Sequence, residues 1–235
     1  MKIYYWSPYL TNIATINAVK RSAISIKKYS KKNPNVSILD SSGEWLFFKN
    51  NSFGIKVLST LKNINLHKYL PKQGFIFSRI SFLIIFIINF FPLIYKIKKN
   101  KPNYLIIHLL TFLPIILSPL LSKNTKIILR ISGYPEMTIF RKILWKYFSK
   151  YLHIVTAPTK LTMDYLVENK IFEKQKIKIL KDPIIVVNEI NRKKNLVDNN
   201  IIIKKEFYVA IGRLTNQKNF GFLIDAFSRN INKIR

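Results

Sequence analysis

The chain has 235 residues, enough for one well-filled core or one core and part of another. Hydrophobic residues make up 49% of it, which excludes a disordered chain, and the lack of cysteine excludes a disulfide framework or a thiolate metal site. Lys and Arg number 40 against 11 Asp and Glu, a formal charge of +29, so the surface repels itself unless anionic partners or counterions lie against it.

The basic residues are scattered along the chain and accompany an excess of Ile and Asn, a bias that nucleotide composition alone can produce. They form no tail and no nucleic-acid-binding motif, so nucleic acid is not expected as the partner, and an anionic membrane surface is. His67, His108 and His153 stand far apart, so a structural zinc site is not expected. The start of the chain has no charged, apolar and small-residue run of a signal peptide, which points to the cytoplasm.

"KIYYW" opens as a strand, and Ile13, Ile16, Val19, Ala23 and Ile26 then recur at helical spacing. "VSILD" is a second strand. The following "SSGEWLFFKNNSFGIKVLSTLKNIN" has no single period and reads as turns and short strands, with Glu44 in an exposed turn. Glu44 is either a ligand for an acceptor hydroxyl or a plain turn residue. Between Arg79 and Lys96 lies the uncharged "ISFLIIFIINFFPLIY", shorter than the roughly 20 residues that cross hydrocarbon and interrupted by Asn89 and Pro92. It is a Pro-kinked core helix, a peripheral membrane anchor, for which "KIKKNKP" is a basic collar, or, third, a transmembrane span.

"YLIIH" reads as a buried strand and is followed by a helix near Leu113 to Leu121, in which Pro114 and Pro119 fall. Next come the strand "KIILRIS" and a helix face of Met137, Phe140, Leu144 and Tyr147. The strand "HIVTAP", the helix "KLTMDYLVEN" and the strand "KIKIL" complete the series. Short apolar strands alternating with helices predict an α/β fold: a Rossmann-like parallel sheet covered by helices on both faces, with ligands beyond the carboxyl ends of the strands. Ser7, Arg130, Ser132 and Gly133 then face a cleft, and His108 is a polar or acid/base candidate there or a satisfied structural histidine.

From Val187 to Glu206 the sequence turns polar, so residues 1–187 read as one domain, 188–206 as a linker and 207–235 as the start of a second, incomplete domain. The last segment, "FYVAIGRLTNQKNFGFLIDAF", reads as strand, turn and helix. In its turn Gly212 permits close backbone approach, Arg213 offers a planar fork of donors and Lys218 adds a point charge before the helix begins, a combination suited to a diphosphate. A solvated pair of cations is the alternative.

Four stretches together resemble the group 1 (family four) retaining glycosyltransferases of the GT-B fold: "KIYYWSP", "RISGYP", "VTAPTKLTMDYLVENKIFEKQKIKILKDPI" and "VAIGRLTNQKNFGFLIDAF". The resemblance implies transfer of a sugar from a nucleotide-sugar to a saccharide or lipid-linked acceptor in cell-surface polysaccharide synthesis, at the inner face of the membrane. It implies no cofactor and no metal, with Arg213 and Lys218 steadying the departing nucleoside diphosphate. The first loop lacks the family's glycine pair, the loop at Ser132 lacks the histidine of some members, and no paired-glutamate motif follows Lys218, where Asp225 is the nearby carboxylate. The chain therefore reads as an acceptor-side domain joined to the first strand and helix of a donor domain, a truncated or split enzyme, and in the split case a second chain completes the donor domain. A fragment that only binds acceptor is the alternative, followed by a basic nucleic-acid binder.

Overall fold

The structure is a computed structural model that describes residues 1–11, 14–48, 54–61, 65–72, 74–109, 111–135, 137–183, 185–194, 208–212, 214–216 and 218–230. It divides into two units, residues 1–186 and 187–235, each described by itself.

Seven strands form the first unit: β1 (Lys2–Trp6), β2 (Asn35–Asp40), β3 (Lys56–Ser59), β4 (Tyr104–Ile107), β5 (Lys126–Arg130), β6 (Ile154–Ala157) and β7 (Ile177–Ile179). All pairs are parallel, in the order β3-β2-β1-β4-β5-β6-β7. Parallel neighbours require crossovers, and the helices α1 (Ala14–Tyr29), α2 (Phe75–Asn100), α3 (Phe112–Ile116), α4 (Ser118–Leu121), α5 (Ile139–Phe148) and α6 (Lys160–Glu168) supply them. This is the α/β Rossmann-like sheet that the alternation of apolar strands and helical stretches predicts.

Alternation along each strand sorts the core into two faces. Tyr4, Trp6, Leu105, Ile107, Ile127 and Leu129 share one cluster with Leu93 and Ile97 of α2, Leu113 of α3, Leu144 and Trp145 of α5 and Leu166 of α6. Ile3, Tyr5, Val36, Ile38 and Ile106 share the other with Ile16, Val19 and Ala23 of α1 and with Trp45. Ile16, Val19 and Ala23 of α1 and Leu144 of α5 are buried as their spacing announced, whereas Phe140 and Tyr147, expected on the same face as Leu144, are exposed, so the inward face of α5 is narrower than the spacing predicts.

The apolar segment ending at Lys96 is part of α2, a helix of 26 residues and therefore about 39 Å long. It runs through Pro92 without interruption. Ser81, Ile85, Asn89, Leu93 and Ile97, spaced by four, are buried, while Ile76, Phe77, Ile80, Leu83, Ile87, Phe91 and Tyr95 are exposed. Its Asn89 is not a defect in an apolar helix. The amide nitrogen donates to the Ser41 carbonyl at 3.0 Å and the Ile85 carbonyl at 2.9 Å, and its oxygen accepts from the Thr60 hydroxyl. That set of bonds ties α2 to the loop after β2 and explains an asparagine with no solvent exposure. The helix packs into the core along one row, as the core-helix reading expects, and presents the other outward.

Pro119 sits in the first turn of α4, so the stretch after β4 forms two short helices that meet at Leu117. Thr138 and Thr159 cap α5 and α6, accepting from the backbone N–H of Arg141 at 3.2 Å and Thr162 at 3.1 Å.

In the second unit the polar stretch opens with a helix, α7 (Val187–Lys194), and the chain later forms α8 (Phe220–Asn230). The strand expected over Phe207 to Ile211 is not formed at Tyr208–Gly212, and Phe207 lies outside the described residues. A strand needs a ladder partner for its N–H and C=O groups, and this unit has no other strand among the described residues.

Candidate functional site

The strand order changes direction between β1 and β4, so the crevice beyond their carboxyl ends is where such a sheet receives a ligand. His108 follows β4 there, and its N–H donates to the Trp6 carbonyl at 2.8 Å, extending the ladder to β1. Its ring is fully buried and meets the Ser132 hydroxyl at 2.9 Å through Nε2. Burial, with the nearby Arg130 cation adding to it, pushes the His108 pKa down to about 3. At neutral pH the imidazole is uncharged, and it orients Ser132 through a hydrogen bond.

Arg130 ends β5. Its Nε and Nη2 donate to Asp182 Oδ1 at 3.1 and 2.5 Å, Nη1 to the Ser22 hydroxyl at 3.2 Å and Nη2 to the Lys181 carbonyl at 3.4 Å. Ser22 in turn meets Tyr5 Oη at 2.8 Å. Arg130 is 5% exposed and Asp182 11%, so the pair is largely withdrawn from water. It joins β5, α1 and the segment that leaves β7.

Beside this pair opens a cleft of about 410 Å³. Arg130, Ser132 and Gly133 are on its wall, together with Phe82 and Arg79 of α2, Phe112 of α3 and Arg141 and Trp145 of α5. His108 stands behind Ser132 instead of lining the cleft. Gly133 has open space where a side chain would project.

Ser7 and Glu44 belong to the neighbouring ends of β1 and β2 and do not line this cleft. Ser7 is fully buried; its carbonyl accepts from Trp45 Nε1 at 3.1 Å, while its hydroxyl has no partner among the described residues. Glu44 corrects the expectation of an exposed turn. It is 4% exposed, and its carboxyl oxygens accept from the N–H and hydroxyl of both Ser41 and Ser42 at 2.7 to 3.1 Å. Asp40 beside it accepts from the N–H groups of Gly43 and Trp45. Burial first, and the adjacent Asp40 second, raise the Glu44 carboxyl well above the ordinary range. The turn needs this geometry because "SSG" can fold back over a carboxylate only with Gly43 at φ 100°, a left-handed value.

In the second unit Gly212 lies against the Lys218 side chain: a Cβ on it would stand 3.5 Å from Lys218 Cγ and 3.2 Å from the Phe220 ring. Lys218 precedes α8 by two residues. Arg213 lies outside the described residues. Among the described residues no cluster of His, Asp and Glu is placed to hold a metal ion.

Sequence reading overlooked Arg79, Arg141 and Asp182. Asp182 has no local signal, since its partner lies 52 residues away. Arg141 has one. It occupies the first turn of α5, where the positive helix end disfavours a cation and no acidic residue offsets it.

No protein-family model and no curated protein matches the sequence. Solved structures do share the fold. A glycosyltransferase from Rickettsia africae superposes with a TM-score of 0.54 at 14% identity, over 84% of this chain and 50% of that one. UDP-GlcNAc 2-epimerase from Neisseria meningitidis, bound to UDP-GlcNAc, gives 0.52 at 14% over 84% and 51%. Anabaena HepE, in complex with UDP and glucose, gives 0.50 at 8% over 83% and 50%. The chain spans about half the length of these neighbours, and its fold is the Rossmann-like fold found in GT-B glycosyltransferases and their epimerase counterparts.

Proposed function

We propose that the chain is the acceptor-side part of a glycosyltransferase that moves a sugar from a nucleotide-sugar to a saccharide or lipid-linked acceptor in cell-surface polysaccharide synthesis. The observation that carries the proposal is the cleft at the carboxyl ends of β4 and β5, set in a sheet whose fold neighbours are crystallised with UDP, UDP-GlcNAc or glucose. The retaining group 1 chemistry rests on the sequence motifs. Gly212, Arg213 and Lys218 contact the donor diphosphate, and two cations with backbone N–H groups offset the charge that grows as the bond to the sugar breaks. No metal takes part in this scheme. A partner chain or further sequence supplies the rest of the donor site. The enzyme works in the cytoplasm, at the inner membrane face, consistent with the exposed apolar row of α2.

Titration calorimetry of the 235-residue chain with UDP, GDP and their sugar conjugates at two salt concentrations tests the proposal. Binding that needs the diphosphate and survives raised salt is expected, weakened at least tenfold by joint alanine substitution of Arg213 and Lys218. Binding that vanishes with salt, or that the joint substitution leaves unchanged, would refute it. Epimerisation of a nucleotide-sugar is the second reading, favoured by the likeness to the Neisseria meningitidis enzyme. Release of UDP only when acceptor is present separates transfer from epimerisation.

A further inference from the structure

An enzyme at a membrane face needs a surface that meets lipid headgroups, and the amino ends of β4 and β5, opposite the cleft beside Arg130, supply one. Where α2 ends and the chain leaves α4 for β5, Lys98, Lys101, Leu120, Lys123, Asn124 and Thr125 line a second cleft of about 280 Å³. That is several times the ~30 Å³ of one water, so a phosphate group has room. A neighbouring cleft of about 580 Å³ shares Lys123, Asn124 and Thr125 and adds Lys32 and Lys126. No Asp or Glu is among the described residues lining either.

The fold does not consume these cations. The ammonium groups of Lys98, Lys101 and Lys123 have no hydrogen-bond or ion-pair partner among the described residues. The negative end of α2 draws a different lysine, Lys2, whose Nζ donates to the Asn100 carbonyl at 3.3 Å. Thr125 lines both clefts at 3% exposure, and its buried hydroxyl is without a partner among the described residues. Buried hydroxyls are as a rule bonded, and a phosphate oxygen accepts from hydroxyl and ammonium alike.

The rim of the smaller cleft narrows the source of that phosphate to a lipid. Leu83, Ile87, Phe91 and Tyr95 recur every fourth residue along α2, all exposed, and Lys98 follows Tyr95 by three. That spacing carries one helix face from an apolar row to the cleft, whose edge adds the exposed Leu120. The opposite row of α2 is buried and bonded through Asn89 to the loop after β2, so the helix is held along the domain. An apolar row that ends in cations complements an anionic surface in which a helix lies flat, and a soluble anion has no use for such a row. We infer that the cleft beside Lys101 and Lys123 binds the phosphate of an anionic lipid headgroup, while the exposed row of α2 seats in the lipid. Such binding rests on the membrane location proposed above and not on sugar transfer.

Vesicle flotation of the full chain, without nucleotide, tests it. Phosphatidylcholine vesicles with phosphatidic acid should carry the protein up, and phosphatidylcholine alone should not. K101Q/K123Q should lose about tenfold more affinity than K170Q/K174Q, which removes two exposed lysines that line neither cleft. Thr125→Val deletes a buried hydroxyl that has no partner, so the variant should melt no lower than the parent and yet bind phosphatidic acid about threefold more weakly. I87Q/F91Q should abolish flotation but leave calorimetric binding of soluble short-chain phosphatidic acid intact, which separates the headgroup site from the apolar row. Inorganic phosphate should bind about tenfold more weakly than that lipid, whose first methylenes meet Leu120. Equal losses from the two lysine pairs, unchanged binding by Thr125→Val, equal affinity for lipid and phosphate, or capture of RNA with the same dependence on Lys101 and Lys123 would overturn the inference. Because no nucleotide is present, failure here leaves the donor titration intact, and failure there leaves the lipid result intact.

Discussion

Replacing Arg130 by Met removes the cation and leaves Asp182 with no charged partner in a place where each side chain is nearly out of water, at 5% and 11% exposure. Breaking a buried pair from one side costs about 3 to 5 kcal/mol, because the remaining charge is stranded. Asp182 keeps some access to water, and Met fills much of the vacated volume, so the lower end, about 3 kcal/mol, is expected. The Asp182→Asn change should cost less, about 2 kcal/mol, since the amide oxygen still accepts a hydrogen bond. If the two groups act through each other, the double variant will be more stable than the sum of the singles by about 1.5 kcal/mol or more. Urea unfolding followed by tryptophan fluorescence suits the question, since Trp6, Trp45 and Trp145 are all buried in the first unit. With a slope of about 3 kcal/mol per molar urea, the Arg130→Met midpoint should fall by roughly 1 M. The shift should survive raised salt, because a desolvated pair is poorly screened. A midpoint shift below about 0.2 M, or strictly additive singles, would show that Arg130 is solvated and available to ligand, and the account of it as a structural clasp would be wrong.

Ile85→Ala should destabilise by about 2 to 4 kcal/mol while Ile87→Ala, two residues on, should stay within about 0.5 kcal/mol, because the first is buried and the second 61% exposed; similar costs in thermal melts would sink the two-faced account of α2. His108 and Glu44 set opposite limbs of the pH–stability curve. The histidine is held neutral, so the unfolded chain takes up a proton first as pH falls below about 6.5, and stability drops toward pH 3 at up to roughly 1.4 kcal/mol per unit. Glu44, with its pKa raised, keeps its proton to higher pH when folded than when unfolded, so it costs stability as pH rises above about 4.5 toward its folded pKa. Denaturation across pH should show His108→Gln flattening the acid limb and Glu44→Gln the limb above pH 5, and an unchanged profile in either variant would refute the assignment. Gly43→Ala puts a Cβ 2.6 Å from Asn65 Oδ1 at a φ of 100°, so a loss of about 2 kcal/mol is expected in the same urea assay, and a neutral result would mean the turn relaxes freely.

The elements of the sheet were readable because their signals are local. "KIYYW", "VSILD" and "KIILR" carry the apolar, β-branched runs of buried parallel strands, and the Ile16, Val19 and Ala23 spacing carries the face of α1. Ser132 and Gly133 could be placed at the cleft by the rule that ligand sites gather at strand ends, which needs only the position of a strand and its direction. The sequence was ambiguous for α2, since a run of Ile and Phe satisfies a core and a lipid surface equally. Only the fixing of Ser81, Ile85, Asn89, Leu93 and Ile97 against the domain decided which row faces inward. Glu44 was misplaced for a related reason: a carboxylate in "SSGEW" looks solvated until the backbone folds both serines' donors over it. The clasp of Arg130 by Asp182 spans 52 residues, and the cleft takes Arg79 and Arg141 from helices of different crossovers. By itself the sequence determined most strands and helices of the first unit, because those choices depend on neighbours a few residues away, while the strand it also announced at Tyr208–Ile211 lacks the ladder partner that only tertiary structure supplies. Which charges are paired, which are buried and which line the cleft was decided by the tertiary structure alone, because those depend on distances that only the closed sheet sets.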